Sequence, residues 1–195
     1  RANQSCPNSK NKASIRMTNV DINEAKVLVT GGEGFFGRAI CEYLIQKGAN
    51  VIFPKHSEVN LIDLEQTNRF LDYSRPDYCI HAAGYNGGIE FNRMYPADIL
   101  YANTVMGLNL SITTSCAYPD TGMELLKEDT FWNGLPNQTI RPHGLAKRML
   151  QAASEAYKAQ YDLNGVTVCV TNLYGPHDTF NLTRTKVVGA LIRKF

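Results

Sequence analysis

The sequence has no apolar run approaching the ~20 residues that a membrane-spanning helix needs, and its first 25 residues contain no signal-peptide apolar core. No membrane partner is therefore expected, and a cytoplasmic setting is. Charge of one sign is scarce as well: 20 Lys and Arg stand against 18 Asp and Glu, a net charge of +2. With no long basic stripe either, the sequence offers no electrostatic footprint for nucleic acid. The five cysteines (Cys6, Cys41, Cys79, Cys116 and Cys169) contain no Cys-x-x-Cys pair and no metal-ligand spacing. An odd number without framework spacing is expected to stay as reduced thiols, and no metal site is expected. Asn137-Gln-Thr and Asn181-Leu-Thr match the glycosylation sequon, but without a secretory signal they read as chance matches.

What is present is an ordinary globular composition, 44% apolar and 19% charged over 195 residues, enough for one sizeable domain. Residues 1–25 are polar with no sustained period and read as a flexible or partner-docked N-terminal extension. From Lys26 an α/β pattern begins. KVLVT (26–30) is a buried parallel-type strand stopped by Gly-Gly, and FFGRAICEYLIQKG after Gly34 is helical, stopping at Gly48. VIF (51–53) and VNLID (59–63) read as further strands, 64–75 as an amphipathic helix, and DYCIHAAG (77–84) as a strand entering a glycine-rich loop. Pro96 opens a helix to Leu110. This alternation argues a doubly wound parallel sheet of the Rossmann type.

Near 109–112 the alternation breaks, because the helix runs straight into ITTSCAYP (112–119). A crossover needs a turn and a strand of ~5–6 residues, so roughly a dozen residues are expected to be missing there. A polar loop (119–141), a long helix (143–163), a buried strand VTVCVTN (166–172), the loop LYGPHDTFN (173–181) and a helix from about Arg184 follow.

The chemistry starts in TGGEGFFG (30–37), which places Gly31, Gly34 and Gly37 between a strand and a helix. Glycine permits the tight turn and a close approach to a pyrophosphate, and the helix N-terminus offers unpaired amides to phosphate. The end of the second strand carries Phe53-Pro54-Lys55-His56 and no carboxylate, which favours the 2′-phosphate of NADP over NAD. The competing reading makes Lys55 a solvated loop residue. Asp63 is placed either to bind an adenine amino group or to cap the helix beginning at Leu64.

These pieces, together with the HAAG loop, Thr-Ser-Cys-x-Tyr-Pro at 114–119, a residue-x-x-x-Lys helix at 143–147 and NLYGPHDTF at 172–180, occur in an order that resembles the extended short-chain dehydrogenase/reductases, the NAD-dependent epimerase/dehydratase family. Within it, YNGGIEFNRMYPADILYANTVM (85–106) is similar to the GDP-L-fucose synthase branch, epimerase–reductases of GDP-4-keto-6-deoxymannose. The resemblance covers about 26–195. It implies a Rossmann unit over 26–183, with 184–195 starting a smaller substrate lobe that family members continue and that grips the nucleotide. The implied function is NADP-dependent epimerisation and reduction of a 4-keto-6-deoxyhexose carried on a nucleotide, GDP by resemblance, in a homodimer. The implied cofactor set is Gly31, Gly34, Phe35, Phe36, Gly37, Lys55, Asp63, Leu64, Ala82, Ala83, Gly84 and Lys147.

The resemblance also assigns catalytic roles. Thr114 would bond the sugar C4 oxygen, and Lys147 the nicotinamide ribose while lowering the pKa of its neighbouring acid. Cys116 and His177 would move protons at the carbons beside the ketone, chemistry that thiolate and imidazolium can perform. The competing readings are a small buried hydrophobe for Cys116 and a loop histidine for His177. Position 143 departs from the family: tyrosine is expected, and His143 stands there, four residues before Lys147 on one helical face. Nearby cations push a histidine below its usual 6.5, leaving it mostly neutral. Three outcomes follow: a differently tuned acid, an epimerase without the redox step, or a non-catalytic protein binding NADP(H) or a nucleotide-sugar.

Overall fold

A computed structural model describes residues 21–110, 117–120, 122, 126–170, 173–181 and 184–194. The segment 111–116 lies outside them, so the expected missing stretch near 109–112 and the positions of Thr114 and Cys116 do too.

Strand β1 (Lys26–Thr30) is buried from its second residue onward and occupies the centre of a three-stranded parallel sheet of order β2-β1-β3. Its neighbours are β2 (Asn50–Ile52), with Val27 opposite Val51, and β3 (Tyr78–His81), with Thr30 opposite His81. Burial on both faces explains the continuous apolar run of β1. Val27 and Val29 pack with Cys41 and Leu44 of helix α1 (Phe35–Gln46) and with Ala49. Leu28 and Thr30 point to the opposite face, and both are fully buried. Asp77 fixes the start of β3: its carboxylate accepts from the Lys26 amide at 2.8 Å, and its own amide donates to the Lys26 carbonyl at 2.9 Å.

Helix α2 (Leu64–Ser74) ends at Arg75, held in the left-handed region (φ 42°) immediately before Pro76, which disfavours helical backbone at the preceding residue. A short α3 (Ile89–Met94) leads into α4 (Pro96–Leu110), and α4 packs along α5 (Arg141–Tyr161). Their approach is close at Gly107, where an added Cβ would lie 2.3 Å from a Leu150 methyl. A 3-10 turn (Glu128–Thr130) precedes α5, and α6 (Val187–Lys194) follows the last loop.

Three expectations need correction. Residues 21–25 belong to the folded unit, not the extension. Ile22 and Ala25 pack on the core, the Glu24 amide donates to the Gly48 carbonyl, and the Ala25 carbonyl accepts from Asn50. The expected strand 59–63 is a turn, because its backbone groups are engaged locally. The Asn60 amide donates to the Gln66 side chain, the Ile62 amide to the Asn60 side chain, and the Asp63 amide to the Asn60 carbonyl. Residues 166–170, expected as a buried strand, form none: Val166 is 77% and Val168 57% exposed. A strand needs a neighbour for its backbone groups, and no described strand lies beside this one.

Candidate cofactor and active site

The passage from β1 into α1 is built so that only glycine fits at Gly31, in the loop, and at Gly37, in the first turn of α1. Gly31 has φ 71°, and a Cβ there would meet the Ala83 backbone at 2.8 Å. A Cβ on Gly37 would lie 2.0 Å from the Gly31 carbonyl oxygen. The Gly34 amide donates to that same carbonyl at 2.9 Å, which closes the turn. No side chain caps α1 at Gly34 and its first turn carries no acid, so its leading amides keep their donors for an anion. Phe35 is half-buried and Phe36 exposed on that first turn.

A cavity of about 480 Å³ opens beside this loop at the C-terminal ends of the strands. Of the expected cofactor residues, Gly31, Gly34, Ala82, Ala83 and Gly84 line it. Its far wall is made by Pro54, His56 and Asn60–Ile62, and Arg184 also reaches it. The loop that carries Ala82–Gly84 is anchored by Asn103 of α4, which is fully buried. Its side-chain nitrogen donates to the Tyr85 and Ile99 carbonyls at 2.8 and 2.7 Å, and its oxygen accepts from the Tyr85 amide at 3.1 Å. The cradle, the uncapped helix end and the adjoining space fit a dinucleotide at the crevice where such sheets bind ligands.

Other expected cofactor residues sit elsewhere. Asp63 caps α2: its two carboxylate oxygens accept from the Gln66 amide at 3.0 Å and the Gln66 side chain at 2.9 Å, bonds that hold it below the usual carboxylate range. Neither Asp63 nor the exposed Leu64 lines the cavity. Lys55 is exposed at the start of a turn, where its amide donates to the Glu58 carboxylate, and it does not line the cavity. Glu33, His56, Asn60, Tyr85, Met106 and Arg184 line it without having been singled out from sequence. They come from five separate segments, and only the fold brings them together.

On α5, the sequence-predicted pair is buried. Pro142 sits in the first turn of α5, and the helix turns His143, Ala146, Lys147 and Leu150 inward on one stripe. His143 and Lys147 are 5% and 7% exposed. Burial first, then the charges of Lys147 and Lys186, push the His143 imidazole down to about 3, and its Nδ1 has no hydrogen-bond partner. His81, at the end of β3, is its counterpart. Burial and the Lys147 charge push it down to about 3, its Nδ1 bonds the Thr30 hydroxyl at 2.7 Å, and its Nε2 has no partner. Lys147 is thus felt by two neutral imidazoles, each presenting an unpartnered ring nitrogen. His81 was overlooked in the HAAG loop, where a histidine closing an apolar strand was itself a signal.

His177 lies apart on the 173–181 loop. It is exposed, in the left-handed region at φ 69°, with its Nδ1 3.4 Å from an Arg38 guanidinium nitrogen of α1. The loop reaches the first turn of α1, since a Cβ on Gly175 would lie 3.7 Å from the Phe35 ring. A larger space, about 670 Å³, lies between α5 and residues 165–169 against Phe131 and Trp132, and none of the expected site residues line it. Among the described residues, no cluster of His, Cys, Asp or Glu is able to hold a metal, and no helix is long and apolar enough to cross a membrane.

Residues 27–195 match the NAD dependent epimerase/dehydratase family. The GDP-L-fucose synthase of Escherichia coli is 31% identical over 188 residues, which make up 89% of this chain and 59% of that protein. A GDP-D-glycero-L-gluco-heptose synthase of Campylobacter jejuni, solved in the presence of NADPH, superposes with a TM-score of 0.81 at 25% identity, over 88% of this chain and 54% of that one. A GDP-mannoheptose C4 reductase from the same organism, with NADP bound, does so with a TM-score of 0.79 at 26% identity, over 89% and 55%. The chain spans between half and three-fifths of the length of these relatives.

Proposed function

The chain belongs to the NAD dependent epimerase/dehydratase family, and from that premise we propose that it is an NADP-dependent nucleotide-sugar epimerase/reductase acting on a GDP-linked 4-keto-6-deoxyhexose. The observation that carries the reading is the glycine cradle at Gly31 and Gly37, opening onto a cavity walled by Ala82–Gly84 and by α4. The GDP-sugar relatives support the substrate class, and the structures with NADP and NADPH support the cofactor. In this reading the dinucleotide-binding unit spans 21–183 and the substrate lobe begins at 184.

Gly31, Gly34 and the α1 amides hold the pyrophosphate, Ala82–Gly84 wall the adenosine side, and Lys147 holds the nicotinamide ribose. When bound, the dinucleotide supplies the hydride for reduction of the keto carbon. Thr114 orients the C4 oxygen, while Cys116 and His177 take and return protons at the neighbouring carbons. In this reading His143 takes part as a neutral imidazole, with one N–H to donate as a hydrogen bond and no second proton to release at neutral pH.

That last point favours a second reading, in which epimerisation persists and the redox step is slow. NADPH oxidation and deuterium wash-in beside the ketone, measured with a GDP-4-keto-6-deoxy sugar, separate the cases. Oxidation with wash-in supports the full reaction, and wash-in alone supports an epimerase. Bound NADPH with neither activity overturns both in favour of a binding protein. A cytoplasmic homodimer through α4 and α5 completes the proposal, supported by the exposed Leu100 and Tyr101 of α4 and Met149 of α5 that such a contact would cover. A monomer by light scattering overturns that part.

A further inference from the structure

The cavity beside the glycine loop holds one carboxylate among its described lining residues, Glu33, and its position is informative. Glu33 follows Gly32, whose backbone is pressed against the end of β2. An added Cβ on Gly32 would lie 2.5 Å from the Phe53 Cβ and 2.8 Å from its ring. The next residue along therefore stands beside the β2 end, where Pro54 and His56 form the other wall of the same cavity. In sheets of this kind, the end of the second strand is where the 2′-position of the adenosine ribose is read, by an acid for a hydroxyl or by a cation for a phosphate. In this chain the acid comes from the glycine loop. Lys55, the expected cation, is off the cavity wall, in a turn whose amide bonds the Glu58 carboxylate.

We propose that Glu33 is the residue that sets selectivity at that 2′-position: its carboxylate accepts a hydrogen bond from a ribose hydroxyl and repels a 2′-phosphate, so the chain takes NADH alongside NADPH. The inference rests on the dinucleotide-binding reading and adds to it the group that weakens discrimination between the two cofactors. His56 and Arg184 line the same cavity and retain some attraction for a phosphate, so NADPH is tolerated and not excluded.

The test is titration calorimetry with NADPH and NADH on the wild-type chain and on Glu33→Gln, which keeps a hydrogen-bonding side chain and removes the charge. Glu33 is exposed, so the variant is expected to fold, and an unchanged melting temperature checks this. The wild type is expected to bind the two cofactors within about ten-fold of each other. The variant is expected to gain roughly ten-fold in NADPH affinity with NADH nearly unchanged, and the wild-type preference should shift toward NADH at low salt, where repulsion is least screened. Binding of both cofactors with the same ratio in the two proteins overturns the role of Glu33 and leaves the site reading intact. Binding of neither by the wild type overturns the dinucleotide reading itself, and this inference with it.

Discussion

The Thr30 hydroxyl and the His81 Nδ1 lie 2.7 Å apart, joining the C-terminal ends of β1 and β3 by side chains where the two strands also pair in register. Both residues are buried, at 0% and 4% exposure, so the bond is made away from water. Its loss leaves an imidazole with neither ring nitrogen bonded, because Nε2 already has no partner. Thr30→Val keeps the shape and removes the hydroxyl, and it is expected to lower the unfolding free energy by about 1–3 kcal/mol. Thr30→Ser, which keeps the hydroxyl, should lose less. Urea unfolding of the two variants makes the comparison, and equal losses would refute a role for the hydrogen bond.

Acidification should destabilise the fold well before its carboxylates protonate. His81 and His143 are held at about 3 in the folded chain, against 6.5 when exposed to water. Between those values the unfolded chain binds the extra protons, so stability is full above pH 6.5 and falls as pH falls. By pH 5 each imidazole is expected to remove roughly 2 kcal/mol. Urea midpoints at pH 7 and pH 5 measure the drop, and His81→Asn with His143→Asn should flatten it. A wild-type stability that stays level across that range would count against both buried neutral histidines.

The glycine loop separates two opposing effects at one residue. Gly37 lies within α1, where alanine normally adds about 1 kcal/mol of helix stability. Here an added Cβ would lie 2.0 Å from the Gly31 carbonyl oxygen and 2.6 Å from its carbon, a clash with backbone that no rotamer relieves. The clash should win: Gly37→Ala is expected to lower the melting temperature and abolish NADPH binding. At Gly34 the same Cβ would sit 3.2 Å from that oxygen, so Gly34→Ala should be milder on both counts. Thermal melts and a binding titration on the two variants decide it.

The same loop explains what could be read from the chain and what could not. β1, the glycine turn and α1 carry their structure locally, in a short apolar run, glycines at fixed spacing and a helical stripe, so sequence locates all three. The cavity does not work that way. Its wall includes His56, Tyr85 and Arg184, from segments that no local pattern marks as neighbours. VNLID reads as a short strand from its apolar content. Val59 and Leu61 are indeed buried, but the intervening backbone bonds to its own turn, and Asp63 caps α2. VTVCV reads as a strand in the same way and fails for another reason, since strand pairing is a property of two segments. At 143–147 the spacing places His143 and Lys147 on one helical face, and the structure buries both. The burial that neutralises the histidine comes from its surroundings, including Lys186 beyond the last loop.

The most direct consequence for activity concerns position 143. A tyrosine there would keep a proton at neutral pH and, beside the Lys147 charge, release it more readily than usual. His143, held at about 3, is already deprotonated at neutral pH and has only a hydrogen bond to offer. His143→Tyr is therefore expected to raise NADPH oxidation with a GDP-4-keto sugar by roughly a hundred-fold, the lower end of what a positioned general acid contributes. Epimerisation measured by deuterium wash-in should change little, since the proposed function gives that step to Cys116 and His177. The wild-type oxidation rate should also be flat between pH 6 and 8, and the variant's should vary as its phenol titrates. Tyrosine is larger than histidine in a buried position, so some stability is expected to be lost. A melting curve must show the variant folded before the rates are compared. A folded variant that binds NADPH and oxidises it no faster than the wild type would show that the histidine is not what limits the redox step.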